Sequence, residues 1–265
     1  MSRYICLAVA TAMTVAFAAP SFAETITPIV FPAEPVSQPA APAALPQTPK
    51  HVLKYISPDD VDPATLLPPP PADGSDQQKG EVAEILHLQQ TATKERLDQA
   101  VWDDRHESSE LWIPTLGPAG FDLSKLPATA AMLEAVLQER DAAADVVKVY
   151  FGRLRPWTFN DNIQVCEAAG KNGSKVRAYP SGHGTLAYAQ GVILAHLMPG
   201  KGQTIMARAE DFAVSRMYCG VHSRTDIRAS AVLGTTIGTL LLHNHAFKPL
   251  LDGARAELAA AGLTR

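Results

Sequence analysis

Three short stretches of the chain concentrate side chains that can hold and transfer a charged group. In KVYFGRLRPW, residues 148–157, Lys148 and Arg155 are seven apart. Seven steps of about 100° return to nearly the same direction, so on a helix both would share one face. Pro156 disfavours helical geometry at the residue before it, which places the Arg155 guanidinium at a helix end, free to reach a ligand. In YPSGH, residues 179–183, Pro180 and Gly182 make a turn and Ser181 can cap the helix that follows. The unpaired N–H groups of that first turn, together with the helix dipole, favour an anion, and His183 sits among them. In SRMYCGVHSRTD, residues 215–226, His222 and Asp226 are four apart. On a helical turn the carboxylate could accept from one ring nitrogen and leave the other nucleophilic. Arg216 adds a fork-shaped donor for an oxyanion.

Taken singly, each stretch has an ordinary structural explanation: a solvated basic face, a satisfied core histidine, an i,i+4 surface pair. Ser181 is not read as a triad nucleophile, because the strained G-x-S-x-G turn is missing. Together, two arginines, a lysine and a helix N-terminus describe a site for a tetrahedral oxyanion such as phosphate, and two histidines describe proton and group transfer at it.

The elements that must position these residues read as helices. From Ser75 the sequence SDQQKGEVAEILHLQQTATKERLDQAVWDDR repeats Val82, Ile85, Leu86, Leu88 and Leu97 at three- and four-residue spacings, with Ser75 or Asp76 as cap. Further helices are expected over 129–154, 184–197, 202–215, 226–242 and 246–261. No sustained alternation of a strand occurs, so the core is expected to be all-α, a bundle-like domain with irregular connections.

Ahead of that domain, residues 24–71 hold 13 of the 21 prolines. Each removes a donor and fixes one dihedral angle, so residues 24–65 are expected to be an extended arm, partly laid over the domain near 55–67, with the domain proper spanning 66–265. Residues 1–23 have the order of a secretory signal peptide: Arg3, an uncharged apolar run from Tyr4 to Ala19, and a Ser21-x-Ala23 cleavage site before Glu24. That run is shorter than the roughly 20 residues a spanning helix needs. The most apolar later segment, 227–242, is broken by Arg228, Ser230 and three threonines and fits a buried helix, so no stable membrane span is expected. A periplasmic or secreted location follows from the leader. Its removal takes Arg3 and moves the formal net charge from −4 to −5, which gives no bulk reason to bind nucleic acid or anionic membrane. Cys166 and Cys219 then remain in an oxidising compartment, as a disulfide or as two buried thiols. They are a poor metal site, having no further cysteine nearby.

The pattern K-x6-R-P, then P-S-G-H, then S-R-x5-H-x3-D, standing here at Lys148–Pro156, Pro180–His183 and Ser215–Asp226, resembles the superfamily of the type 2 phosphatidic acid phosphatases and the vanadium haloperoxidases. Within it the chain looks most like the secreted class A bacterial nonspecific acid phosphatases, through the leader, LLPPPP at 66–71, KNGS at 171–174 and the Cys-Gly at 219–220. The resemblance runs from about Leu66 to Leu258. Three features depart from the class A pattern: Lys175, Val176, Arg177 and Ala178 intervene between KNGS and YPSGH, Gly184 replaces a threonine, and Ser223-Arg224 stand where Trp-Gln is common.

The resemblance implies a mechanism residue by residue. Lys148, Arg155 and Arg216, with Ser181 and the Gly182 amide, would hold the phosphate oxygens. His222 would attack phosphorus, Asp226 orient it, and His183 protonate the leaving alcohol and then serve the hydrolysing water. No metal or other cofactor is called for, phosphate monoesters are the implied substrates, and subunits of this family tend to pair, implying a homodimer. An acidic to near-neutral optimum follows from needing His183 protonated and His222 neutral together. The competing readings are a vanadium-dependent haloperoxidase, a lipid or pyrophosphate phosphatase of the same superfamily, and a phosphate-binding module without turnover.

Overall fold

In a computed structural model, residues 51–166 and 173–264 are described. The expected signal peptide and the arm up to residue 50 lie outside them. The described residues form a helical domain: α1 (Pro63–Leu66), α2 (Asp76–Thr91), α3 (Lys94–Arg105), α4 (Ile113–Leu116), α5 (Pro127–Phe151), α6 (Gly182–Leu197), α7 (Gly202–Tyr218), α8 (Arg224–His243) and α9 (Lys248–Ala260), joined by short 3-10 turns. No strand occurs among them.

Helix α6 is the central post. It is apolar nearly all round and buried on almost every face, as a helix enclosed by others must be. Helix α8 meets it through Ser230, Gly234 and Gly238, four apart and therefore on one face. A Cβ at Gly234 would lie 2.5 Å from the Thr185 carbonyl oxygen, and one at Gly238 would lie 2.7 Å from that of Ala189. The two backbones therefore approach as only glycine allows. Gly184 belongs to the same seam. A Cβ there would run into the Ser230 hydroxyl and sit 2.9 Å from Ser230 Cβ and 3.2 Å from Ala213 Cβ of α7. Its replacement of a threonine is thus a packing feature of the α6–α8–α7 junction. Trp112 and Gln190 pair inside the core: Trp112 Nε1 donates to Gln190 Oε1 at 2.8 Å, and Gln190 Nε2 to the Leu133 carbonyl at 2.9 Å.

The described part of the proline-rich arm lies on this core. The backbone N–H groups of Lys54, Tyr55 and Ile56 all donate to the buried Glu139 carboxylate of α5, and Ile56, Val61 and Leu67 enter the main hydrophobic cluster. The Tyr179 hydroxyl donates to the Pro68 carbonyl at 2.8 Å, tying LLPPPP to the loop before α6.

Three local expectations are corrected. The stretch from Ser75 is two helices, because Thr93 caps a new one by accepting from the Arg96 N–H at 3.3 Å. Helix α5 stops at Phe151, where Gly152 turns left-handed (φ 54°) and donates back to the Lys148 carbonyl. Lys148 and Arg155 therefore do not share a helix, and Arg155 is extended (φ −70°, ψ 146°). Finally, His222 precedes α8, so His222 and Asp226 are not two positions of one helical turn.

Candidate active site

Six of the eight candidate residues, Lys148, Arg155, Gly182, His183, Arg216 and His222, line one cavity of about 230 Å³ together with Asp104, Glu107, Trp157, Gly173, Ser174 and Val221. Lys148 comes from the last turn of α5, Arg155 from the loop that Gly152 releases, Gly182 and His183 from the start of α6, Arg216 from the last turn of α7, and His222 from the turn before α8. Ser181 and Asp226 stand behind the wall. Ser181 is the α6 N-cap, fully buried, its hydroxyl accepting from the Gly184 N–H at 3.2 Å.

His222 is fixed in one tautomer by its neighbours. Nδ1 lies 2.7 Å from the Ala178 carbonyl, which can only accept, and Nε2 lies 2.7 Å from Arg155 Nη1, which can only donate. The proton therefore sits on Nδ1, and Nε2 presents a lone pair to the cavity. Asp226 Oδ2 is 3.6 Å from Nδ1, so a backbone carbonyl rather than the carboxylate takes the hydrogen bond. Ala178 is one of the four intervening residues. Their backbone runs beside the Arg155 loop, with Arg155 N–H donating to the Lys175 carbonyl at 2.7 Å and Ala178 N–H to that of Arg153 at 3.0 Å. The insertion thus supplies the acceptor that orients His222.

Behind His222 a buried chain of charge holds the α8 start. Arg153 donates to Asp226 at 2.5 Å and to Glu81 of α2 at 2.6 Å, while Asp226 also accepts from the Ser223 N–H at 2.7 Å. Glu81 accepts in turn from the Thr225 N–H at 2.7 Å. Burial raises the Asp226 pKa, with Arg153 and the Ser223 donors opposing it. Ser223 and Arg224 thereby have roles of their own: Ser223 completes a capping box with Asp226, and Arg224 donates to Glu84 at 2.6 Å.

The cavity is electropositive. Burial, then Arg155, lowers the Lys148 pKa to about 7, and burial, then Arg216, lowers that of Arg155 to about 10. Burial, then Arg155, Arg216 and Lys148, pushes His222 well below its ordinary value, which keeps Nε2 unprotonated in acid. Arg216 pairs with Asp104, yet its buried Nε has no partner among the described residues, an orphan donor at an anion pocket. Cys166 and Cys219 form a disulfide with Cα atoms 4.9 Å apart, anchoring the 163–166 segment to the turn that carries His222. Among the described residues these two sulfurs with Asp104 are the one cluster of metal-ligand spacing, and the disulfide occupies both.

Asp104, Glu107, Arg140 and Arg153 were not singled out by sequence. Asp104 and Glu107 lie where α3 runs into its following loop, in WDDRHESSE, and carry no periodic signal, whereas Arg153 was visible beside Arg155 without indication of its direction.

An all-α domain that gathers three basic side chains, a helix N-terminus and two histidines around an oxyanion-sized cavity has the architecture of the PAP2 superfamily, whose family profile matches residues 128–249. The chain belongs to that superfamily. It is 30% identical over 207 residues to an acid phosphatase of Zymomonas mobilis, covering 76% of each chain. It is 27% identical over 225 residues to a non-specific acid phosphatase of Providencia stuartii, covering 80% of this chain and 87% of that one. Among solved structures a bacterial vanadium-dependent iodoperoxidase shares the fold, with a TM-score of 0.52 at 17% identity, over 70% of this chain and 53% of that one. No described helix is long and apolar enough to cross a membrane.

Proposed function

We propose that the protein is a secreted, periplasmic acid phosphatase that hydrolyses phosphate monoesters through a phosphohistidine at His222, without a metal. The observation that carries the reading is the fixed tautomer of His222, whose Nε2 lone pair faces a cavity lined by Lys148, Arg155 and Arg216.

The phosphate group enters against those three cations and the N-terminus of α6, where the Gly182 amide is one of the helix-end donors. The orphan Arg216 Nε gains an acceptor there. Arg155 passes its hydrogen bond from His222 to a phosphoryl oxygen, which frees the lone pair. His222 Nε2 then attacks phosphorus while the bond to the leaving oxygen breaks, and His183 gives that oxygen its proton. Nδ1–H stays on the Ala178 carbonyl, and the positive charge on the phosphorylated ring is offset by Asp226 at 3.6 Å. Water next attacks the same phosphorus and gives a proton to His183. The P–N bond breaks, and its electron pair returns to Nε2. Charge on the phosphoryl oxygens is what such a transition state asks the protein to stabilise.

A panel of phosphate monoesters on the purified mature protein, with vanadate as competitor, tests the reading. Release of p-nitrophenol from its phosphate ester at acidic to neutral pH, unaffected by chelators and blocked by vanadate, is expected. Tight phosphate binding with no release, or vanadate-dependent bromide oxidation in its place, would overturn it.

A further inference from the structure

The two histidines of the cavity do not share their surroundings, and His183 has a carboxylate that the reaction scheme has left unused. His183 Nδ1 lies 3.2 Å from Glu107 Oε1, and Nε2 lies 3.2 Å from the Asp104 backbone carbonyl. Both partners only accept in their ordinary states, so the doubly protonated ring, the form a proton donor needs, is the one that satisfies both. Phe212 of α7 stacks on the imidazole with centroids 5.6 Å apart and fixes its plane.

Glu107 is itself held in place. Arg140 of α5, a buried residue, donates to Glu107 Oε1 at 2.6 Å and also lies 3.3 Å from Asp141. The missing side chain at Gly182 makes this arrangement fit. A Cβ there would lie 2.9 Å from Arg140 Nη1, 3.0 Å from Glu107 Oε1 and 3.2 Å from Lys148 Nζ. Arg140 and Glu107 therefore meet across the first turn of α6, beside the histidine of the same turn.

We propose, resting on the phosphatase reading, that Glu107 is the positioning residue of the proton-transfer step: it orients His183 through Nδ1 and stabilises the imidazolium. With Nδ1–H committed to a carboxylate, Nε2 is the nitrogen that exchanges protons. Its resting partner, a neutral backbone carbonyl at 3.2 Å, yields to the far more basic oxygen of a departing alkoxide. The Nε2–H bond breaks as the new O–H bond forms, and the ring becomes neutral with its remaining proton on Nδ1 against Glu107. A water proton then restores Nε2–H in the second half-reaction. The logic is that of an orienting carboxylate behind a catalytic histidine.

The charged groups around the pair are Arg216 of α7, Arg140, Asp141 and Lys148 of α5, and Asp104 at the end of α3. Burial, then Arg216, lowers the His183 pKa, and Glu107 opposes both. Burial would raise the Glu107 carboxyl, but His183 and Arg140 outweigh it and hold the group well below its ordinary range, ionised wherever the reaction runs.

The test compares wild type, Glu107→Gln and Glu107→Asp on two esters: p-nitrophenyl phosphate, whose leaving group departs without a proton, and an alkyl phosphate, whose leaving group does not. Glu107→Gln is expected to lose about 100-fold in kcat/KM on the alkyl ester but no more than about threefold on the p-nitrophenyl ester, and Glu107→Asp to recover most of the difference. The alkaline limb of the alkyl-ester profile moves to lower pH in Glu107→Gln. The His183 ring resonance in the ligand-free protein, assigned by its loss in His183→Asn, likewise titrates at lower pH than in wild type. Equal losses on both esters, or an unmoved His183 titration, would overturn the proposal. Should wild type release phosphate from neither ester, the phosphatase reading fails, and the titration still decides whether Glu107 governs His183.

Discussion

His222 and His183 line the same cavity from different elements, and their partners differ in kind. His222 is surrounded by cations, with Arg155 on its open nitrogen and Arg216 and Lys148 nearby, and its other nitrogen rests on a backbone carbonyl. His183 has Arg216 on one side but a carboxylate on Nδ1 and a carbonyl on Nε2. Burial lowers both pKa values, and the cations around His222 drive it well below the ordinary value, while Glu107 resists the shift at His183. In the proposed reaction a pair pushed apart in this way divides labour: the more depressed group stays neutral as nucleophile, and the other carries a proton. In that reaction the difference would let the site work in acid, where an ordinary histidine nucleophile would be silenced.

The largest expected effect separates the two walls directly. His222→Ala should cost about 10⁴-fold or more in kcat on every ester, since no step proceeds without a nucleophile. In kcat/KM, which reports the first phosphoryl transfer, His183→Asn should cost about 100-fold on alkyl esters and far less on p-nitrophenyl phosphate. Steady-state assays on both esters check this, and equal losses in the two variants would erase the distinction.

Next in size is the buried charge behind the His222 wall. Arg153→Met leaves Asp226 and Glu81 buried without their shared cation, and should lower stability by about 3–5 kcal/mol, read by urea or thermal unfolding. The His183 wall has no such dependence on Arg153, so after correction for folding its leaving-group selectivity should be unchanged. Smaller still is Gly184→Ala. The added methyl meets Ser230 and Ala213 across the α6–α8–α7 seam, for an expected loss of about 1–3 kcal/mol in the same unfolding assay.

The smallest effect concerns the cations. Lys148 titrates at about 7, so it is charged below that pH and loses its charge as pH rises through it. Sulfate, whose own charge is constant in this range, should bind up to about tenfold more weakly at pH 8 than at pH 6, measured as a competitive inhibitor. Lys148→Met should flatten that dependence.

Much of the site is legible in the sequence, because group transfer at an oxyanion needs residue types that are scarce and motif-bound: Lys148, Arg155, Gly182, His183, Arg216 and His222 all line the cavity. Helical periodicity likewise gave the all-α architecture, while the breaks escaped it. Thr93 and Gly152 act through a cap and a left-handed turn, local conformations that an apolar repeat does not register. The partners that set the two histidines apart were the least visible. Ala178 orients His222 with a backbone carbonyl, which any residue type could supply, and Glu107 is one acid among several in an irregular loop. Gly184, a departure from the class A pattern, needed the facing Ser230 to acquire a meaning.

The most direct test of the central claim is to trap the phosphoenzyme. Mixing the mature protein with a radiolabelled monoester, quenching under alkaline conditions and mapping the labelled peptide should place the phosphoryl group on His222, with label retained in His183→Asn and absent in His222→Ala. Label on any other residue, or label surviving in His222→Ala, would contradict the account.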